Sequence, residues 1–180
     1  GTANEFAVDT SRVLHQVPAT LLSELRRCAQ TIAEALRIRS GLLHTQFILD
    51  GSRIWLIEIT RRCPGDLYSQ LIEMSTGFPY AENYARGFIG LPLNLNKAFD
   101  TPKWIMRHTL TTPHTGTLGH VSFQVPIQID RYIPLMTTGD TIQPAPQGRI
   151  GLLFARADSQ QALDLLFQRT LARQLYALHP

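Results

Sequence analysis

The chain has 180 residues, of which 44% are apolar and 17% charged, and its net charge is +3. This composition is that of a globular protein with one sizeable core or two small ones, and it excludes a long disordered tract. No apolar stretch is long enough to cross a bilayer and no signal peptide is recognisable, so we expect a cytoplasmic protein without a membrane partner. The basic residues are scattered, which argues against a nucleic-acid partner, and only the pI of about 9.1 favours one.

The N-terminal third of the chain predicts irregular backbone over residues 1–17 and then one long helix. Pro18 suits the first turn of that helix, and Gly41 is the expected stop. Apolar residues recur between them at helical spacing, which predicts an amphipathic helix of about five turns packed on a core.

Two strands are predicted next, at about His44–Leu49 and Arg53–Thr60, joined by an Asp-Gly turn. Glu58 lies within the apolar run of the second strand, where an unpaired charge would be costly to bury. Two arginines and a Pro-Gly pair follow, so the strand ends in a cationic loop. A carboxylate beside arginines suits a metal ion and an anion held together.

The rest of the chain predicts three helices and several strands. Asp66 is placed to cap a short helix over about 67–74, and Ser159 is placed to cap a final helix over about 159–178. The remaining elements are a helix at about 80–88 and strands at 104–111, 119–128, 132–138 and 149–157.

This order of elements predicts an α+β fold, with a largely antiparallel sheet flanked by helices. We divide the chain into an irregular N-terminal segment at residues 1–17, in part an expression remnant, a first subdomain at 18–100, and a β-rich closing subdomain with the C-terminal helix at 101–180. Because the chain begins with Gly1 and not Met, we expect sequence upstream of it.

The length of the hairpin loop decides whether Gln46 and Glu58 share a face. A two-residue loop would pair positions of odd sum and send the two side chains to opposite faces. A three-residue loop, Asp50-Gly51-Ser52, pairs Leu49 with Arg53 and brings them together, so we predict an odd-length loop with glycine near the left-handed position. Ile54, Leu56, Glu58 and Thr60 would then point one way and Trp55, Ile57 and Ile59 the other.

The chain resembles the C-terminal lobe of the ATP-grasp superfamily, which includes biotin carboxylase, the carbamoyl-phosphate synthetase large subunit and L-amino-acid ligases. The resemblance lies in the amphipathic helix, His-Thr-Gln-Phe-Ile, the turn, Leu-Ile-Glu-Ile-Thr-Arg-Arg-Cys-Pro-Gly, and Leu-Ile-Glu-Met-Ser-Thr-Gly-Phe-Pro-Tyr-Ala. It covers residues 10–92 well and the β-rich tail more weakly. Glu58 matches the family's second magnesium-binding acid, twelve residues after Gln46, and Arg62 matches an arginine four positions further on.

The resemblance implies an ATP- and Mg²⁺-dependent ligase. Such an enzyme activates a small-molecule carboxylate as an acylphosphate, which an amine or a similar nucleophile then attacks. Glu58 would bind the metal and the cofactor, with Gln46 and Thr60 as auxiliary metal ligands, and Arg62 would contact the cofactor and serve catalysis by clamping the carboxylate or acylphosphate. The chain would be a C-terminal fragment, inactive without N-terminal lobes as its partners, and its exposed apolar face would allow a homodimer.

Two departures from the family keep an alternative open. Gln46 stands where the family usually has Glu, and Thr60 where it usually has Asn. The chain is therefore also interpreted as a non-catalytic ATP-grasp-like interaction module with an eroded metal site, and whether it belongs to an active enzyme stays open. For Glu58 the competing hypothesis is a structural ion pair with an arginine, and for Gln46 a simple polar surface position.

Other residues with chemical potential favour structural interpretations. Arg61 is expected to face away from Glu58, and Asp66 to cap a helix instead of serving as a base. Cys63 follows two arginines but lacks an evident histidine base, and the histidines lack the spacing of a zinc site.

Overall fold

The computed structural model describes residues 2–4, 7–51 and 53–180, and it contains two compact units. The hairpin unit comprises Leu14–Asp100, and the sheet unit combines Gly1–Val13 with Thr101–Pro180. In chain order the elements are β1 (Thr10–Arg12), α1 (Ala19–Ala35), β2 (His44–Asp50), β3 (Arg53–Thr60), α2 (Tyr68–Thr76), α3 (Tyr80–Ile89), β4 (Trp104–Leu110), β5 (Gly116–Thr117), β6 (His120–Phe123), β7 (Gln128–Pro134), β8 (Thr141–Ile142), β9 (Gly151–Ala157), α4 (Gln160–Leu171) and β10 (Tyr176–His179). The predicted α+β class with antiparallel sheets is confirmed.

The long amphipathic helix forms as α1, but it ends before the predicted Gly41. Arg37 adopts a left-handed conformation with φ 54°, and the N–H groups of Arg37 and Ile38 bond to the carbonyls of Glu34 and Ala33. This hydrogen-bond pair is a Schellman motif, which ends a helix and usually has glycine at the left-handed position. Because Arg37 takes this position, the sequence has no glycine there to indicate where the helix ends.

Asp66 is not the N-cap of α2, contrary to our prediction. The cap position belongs to Leu67, and both residues are left-handed, with φ near 59°. The side chain of Leu67 makes no capping hydrogen bond. The tight left-handed turn after Gly65 places Leu67, not Asp66, at the helix start.

The sheet unit contains a four-stranded antiparallel sheet in the order β1-β4-β9-β7, and α4 packs on β4 and β9. The core between this sheet and helix is apolar and well buried, as expected for one face of a sheet covered by a helix. Its buried members include Met106, Leu110, Ile150, Leu153, Ala155, Leu163, Leu166 and Leu175.

The first strand lies in a segment that we expected to be irregular. β1 pairs with β4 at the sheet edge, with Thr10 opposite His108. Arg12 forms an ion pair with Asp164 of α4 and lies over the ring of Phe167, 4.9 Å from its centroid. Asp164 and Phe167 are about 150 residues away from Arg12 along the chain, so no local sequence pattern predicts the strand.

The C-terminal helix is shorter than predicted. Ser159 caps it as expected, because its Oγ accepts a hydrogen bond from the N–H of Ala162 at 3.2 Å. The helix ends at Leu171 in a second Schellman motif, with Arg173 left-handed at φ 58°. The chain then continues as β10, which pairs antiparallel with β6.

The strands between β4 and β9 also depart from the prediction. The expected strand 119–128 is only β6, and the expected strand 132–138 begins earlier as β7 and ends at Pro134. The expected strands 104–111 and 149–157 match β4 and β9 closely.

The two units differ in how well their apolar residues are covered. Within the described ranges, Leu71 is the only large apolar side chain of the hairpin unit that is fully buried. No residue of α1 is buried, although its apolar stripe is half-buried. No helix in the described ranges has the length and apolar character needed to cross a bilayer.

Candidate functional site

The hairpin β2–β3 has a two-residue loop, so the predicted three-residue loop is wrong. Asp50 is the partner of Arg53, and Gly51 lies between them at φ 59°, the left-handed conformation that we expected for glycine. Ser52, the other loop residue, lies outside the described residues. Two-residue hairpin loops favour a positive φ at their first position, and Asp-Gly supplies it at low cost.

A bulge at Ile57 nevertheless brings the two candidate ligands together. The register is shifted between Gln46 and Phe47, so that Phe47 is opposite Leu56 and Gln46 is opposite Glu58. Directly opposed residues of an antiparallel pair share a face. Gln46 and Glu58 therefore lie side by side, for a reason that the loop-length argument did not include.

The same register decides which residues surround this pair. Thr60 is opposite His44 and lies on the face of Glu58. Trp55 and Ile48 are opposed on that face too, and they are 53% and 57% exposed. Our prediction that Leu56 points with Glu58 and Trp55 away from it is wrong, because the bulge reverses the alternation between the two halves of β3.

Glu58 and Gln46 are both exposed. In the described part of the chain, Glu58 makes no ion pair and neither side chain has a hydrogen-bond partner. The competing hypothesis of a structural ion pair between Glu58 and an arginine thus has no support in these contacts. An uncommitted carboxylate on an open strand face is available to a cation.

The two arginines after β3 point to different partners. The Nη2 of Arg61 donates to the carbonyl of Ser40 at 2.6 Å and lies against Gly41, so this side chain ties the hairpin base to the segment after α1. Arg62 is exposed, and its Nη1 donates to the carbonyl of Cys63 at 3.1 Å. Arg61 thus has a structural role through a backbone carbonyl, and Arg62 keeps donors for a ligand.

Cys63 is not an activated nucleophile. Both cysteines are free thiols. Burial raises the pKa of the Cys63 thiol, and the hydrogen bond with Tyr80 offsets this only in part. Burial, together with the nearby Cys63, raises the pKa of Tyr80 to about 12. A thiol that stays protonated at neutral pH is a poor nucleophile.

A buried polar network in the sheet unit was missed by the sequence analysis. The Oγ1 of Thr10 donates to Asp9 Oδ1 at 2.9 Å and lies 2.8 Å from Nδ1 of His108. The proton of Thr10 is thus committed to Asp9, so His108 carries its own proton on Nδ1 and donates it to Thr10. Its Nε2 is buried and has no partner among the described residues. Burial lowers the pKa of His108 to about 4, with Asp9 opposing the shift and Arg107 adding to it.

Arg107 is the other buried charge of this network. Its side chain is fully buried, and it donates to the carbonyl of Asp9 and, at 2.8 Å, to Oγ1 of Thr109. In β4 the polar residues Arg107, His108 and Thr109 are consecutive, and nothing in the local sequence indicates that they are buried. The burial of these polar residues follows only from the pairing of β4 with β1.

The comparisons with solved structures found close structural likeness at low sequence identity. L-amino acid ligase from Bacillus licheniformis matches with a TM-score of 0.73 and 17% identity, over 97% of this chain and 44% of the ligase. Phosphoribosylglycinamide synthetase from Anaerococcus prevotii matches with a TM-score of 0.73 and 14% identity, over 95% of this chain and 45% of the synthetase. The chain has the fold of the ATP-grasp C-terminal lobe.

A third similar structure is that of biotin carboxylase from Campylobacter jejuni, determined as a β,γ-ATP complex. It matches with a TM-score of 0.59 and 14% identity, over 94% of this chain and 39% of the carboxylase. The chain thus spans less than half the length of each of these three enzymes. No protein-family model matches the sequence, and no curated protein sequence does either.

Proposed function

We propose that the chain is the C-terminal part of an ATP-grasp ligase, which activates a carboxylate as an acylphosphate for attack by an amine or a similar nucleophile. The observation that carries the proposal is the pairing of Gln46 with Glu58 on the open face of β2–β3, within a chain of ATP-grasp fold. Both side chains offer oxygen atoms without partners in the described part of the chain.

The donor set of this face suits Mg²⁺. Glu58 offers a carboxylate, Gln46 an amide oxygen and Thr60 a hydroxyl, and a hard divalent cation prefers oxygen ligands of these kinds. These three residues would hold the ion, which when bound neutralises negative charge on the nucleotide phosphates. Only one of the three is charged, so the remaining ligands would come from the nucleotide and water.

The proposed reaction has two transfers. An oxygen of the substrate carboxylate attacks the γ-phosphorus of ATP and ADP leaves, which gives the acylphosphate. The amine then attacks the acyl carbon, inorganic phosphate leaves, and the nitrogen loses a proton. The guanidinium of Arg62 would hold the carboxylate and then the acylphosphate, because its fixed planar donors match two oxygens at once.

The missing part of such an enzyme would supply the rest of the nucleotide site. The coverage of less than half of each similar enzyme supports this, as does the small core of the hairpin unit. A two-stranded hairpin with apolar side chains exposed on it is marginal alone and gains stability from further protein. We therefore propose that the chain is inactive by itself and that its first partner is the remainder of the same protein.

The experiment uses the longer protein that contains this chain. We expect it to release phosphate from ATP only with Mg²⁺, a carboxylate and an amine, and we expect Glu58→Gln to lower kcat by about a hundredfold or more, since it removes charge stabilisation at the phosphates. Glu24→Gln on the exposed side of α1 is the matched control and should leave the rate unchanged. Equal rates for Glu58→Gln and Glu24→Gln would refute the site.

A non-catalytic interaction module is the second candidate. The observation in its favour is that Gln46 and Thr60 are neutral, so the candidate metal site has one charged ligand. Calorimetry on the longer protein separates the two: Mg·ATP binding that Glu58→Gln weakens supports the ligase, whereas the absence of Mg·ATP binding supports the module.

A further inference from the structure

A cavity of about 210 Å³ lies in the sheet unit. Its walls come from the segment after β4, the end of α4, β10 and the N-terminal residues Thr2 and Ala3. The volume is below the roughly 300–1,000 Å³ of sites for drug-sized ligands, so the cavity suits a molecule of only a few heavy atoms.

The charge of the cavity wall is positive. Among the described residues, Arg173 is the only charged residue that lines it. The Nε of Arg173 donates to the carbonyl of Thr2, and within the described ranges its two terminal nitrogens have no acidic partner. A guanidinium with two parallel donors left over is suited to an anion with two oxygens.

Thr111 contributes a hydroxyl that lacks a partner. This residue is 8% exposed and lines the cavity, yet its Oγ1 makes no hydrogen bond to any described residue. Its backbone is fixed, because its N–H and C=O both bond to the hydroxyl of Tyr176, at 2.8 and 2.7 Å. A buried hydroxyl without a partner is costly, and a bound acceptor would remove that cost.

The other hydroxyls of the wall show which groups could bind a ligand. Thr170 is already committed to the carbonyl of Leu166, Tyr176 to that of Thr111, and Thr2 to the carboxylate of Asp9. Thr112 accepts from the N–H of His114 at 3.2 Å, which leaves its own proton to donate. The available groups are thus donors: the Arg173 guanidinium and the hydroxyls of Thr111 and Thr112.

We propose that this cavity binds a small oxyanion, a carboxylate or a phosphate, through Arg173, Thr111 and Thr112. The site lies in the sheet unit alone and shares no residue with the Gln46 and Glu58 face. The anion site can therefore be tested independently of the ligase proposal, and Glu58→Gln should leave anion binding in the cavity unchanged.

The test is an amide NMR titration of the 180-residue chain with inorganic phosphate and, separately, with acetate, replacing chloride at constant ionic strength. We expect saturable shifts centred on residues 111–112 and 173, with a millimolar Kd. Arg173→Gln should weaken binding about tenfold or more, and the matched control Arg169→Gln, an exposed arginine of α4 outside the cavity, should not.

Thr111→Val is the second variant, and it keeps the shape of the side chain. It should weaken binding severalfold without lowering Tm, because the hydroxyl has no partner to lose in the free protein. Saturation by either anion supports the proposal and shows which source it accepts. Saturation by neither, or equal binding by Arg173→Gln and Arg169→Gln, overturns it, and if Arg173→Gln does not fold, Thr111→Val decides alone.

Discussion

His108 shows how strongly the surroundings of one residue can change its chemistry. Two of its neighbours in the network oppose each other, since Asp9 favours the charged ring and Arg107 disfavours it, and burial outweighs both. The ring is therefore neutral at physiological pH. Burial also disfavours the charged form of Asp9, but hydrogen bonds from Thr2 and Thr10 outweigh this and lower the pKa of that carboxyl.

The unfolding free energy should consequently depend on pH through His108. The unfolded chain takes up the proton near pH 6.5 and the folded chain only near pH 4, so the stability from this residue is complete above pH 6.5 and is lost as the pH falls towards 4. At about 1.4 kcal/mol per pH unit the loss is about 3 kcal/mol. The contribution of Asp9 is lost only at lower pH, below its ordinary value of 3.8.

Urea unfolding between pH 7 and pH 4.5 measures this dependence. His108→Leu should flatten it, whereas His114→Asn, a change at an exposed histidine, should leave the slope as it is. If the unfolding free energy of His108→Leu depends on pH as steeply as that of the wild type, another group is responsible for the dependence.

At the scale of elements, two local features shape the β2–β3 hairpin, its Asp-Gly turn and the bulge at Ile57. The glycine of the loop was predictable, because Asp-Gly between two apolar strands indicates a tight turn with positive φ. The bulge at Ile57 was not, since Ile57 is one of four consecutive apolar residues and nothing local selects one of them for the bulge. The bulge nevertheless decides which face carries Glu58.

Gly51→Ala tests the contribution of the turn. An added Cβ would meet no atom within 4 Å, so the cost is that of a left-handed backbone alone, about 1–2 kcal/mol in the free energy of unfolding. Gly65→Ala is the control, because its Cβ would also meet nothing and its φ is not left-handed. It should be neutral or slightly stabilising. Equal effects of the two variants in urea unfolding would contradict the assigned turn.

The ends of α1 and α4, unlike the Asp-Gly turn, were not predictable from the sequence. Both α1 and α4 end at an arginine in the left-handed conformation, Arg37 and Arg173, and both were predicted too long. Glycine normally marks such an end because it has no Cβ to strain. Where tertiary contacts hold an arginine there instead, as Thr2 holds Arg173 through its carbonyl, the sequence carries no stop signal.

At the scale of the whole molecule, the sheet unit and the hairpin unit differ in completeness. The sheet unit buries a contiguous apolar core, while the hairpin unit leaves Trp55, Ile48 and Ile57 more than half exposed. Adjacent exposed apolar side chains of this kind mark a surface that other protein covers.

The chain alone should therefore self-associate through the hairpin. We expect concentration-dependent association in sedimentation experiments, weakened about tenfold or more by the pair Ile48→Ser and Trp55→Ser. Leu165→Ser on α4 is the control, since Leu165 is similarly exposed. A chain that stays monomeric at high concentration, or a control with the same effect as the pair, would argue against this surface.

The sequence by itself determined the local features: the periodicity of α1, the hairpin with its Asp-Gly turn, the Ser159 cap, the strands β4 and β9, and the resemblance to ATP-grasp enzymes. Each depends on residues close together in the chain, so spacing alone reports it. The tertiary structure decided the features that depend on distant partners. β1 exists because β4 offers an edge, β10 because β6 does, and His108 is neutral because burial, together with Arg107, outweighs the opposing effect of Asp9. Glu58 faces Gln46 because a bulge shifted the register of the two strands, and pairing between strands is settled by packing, not by local sequence.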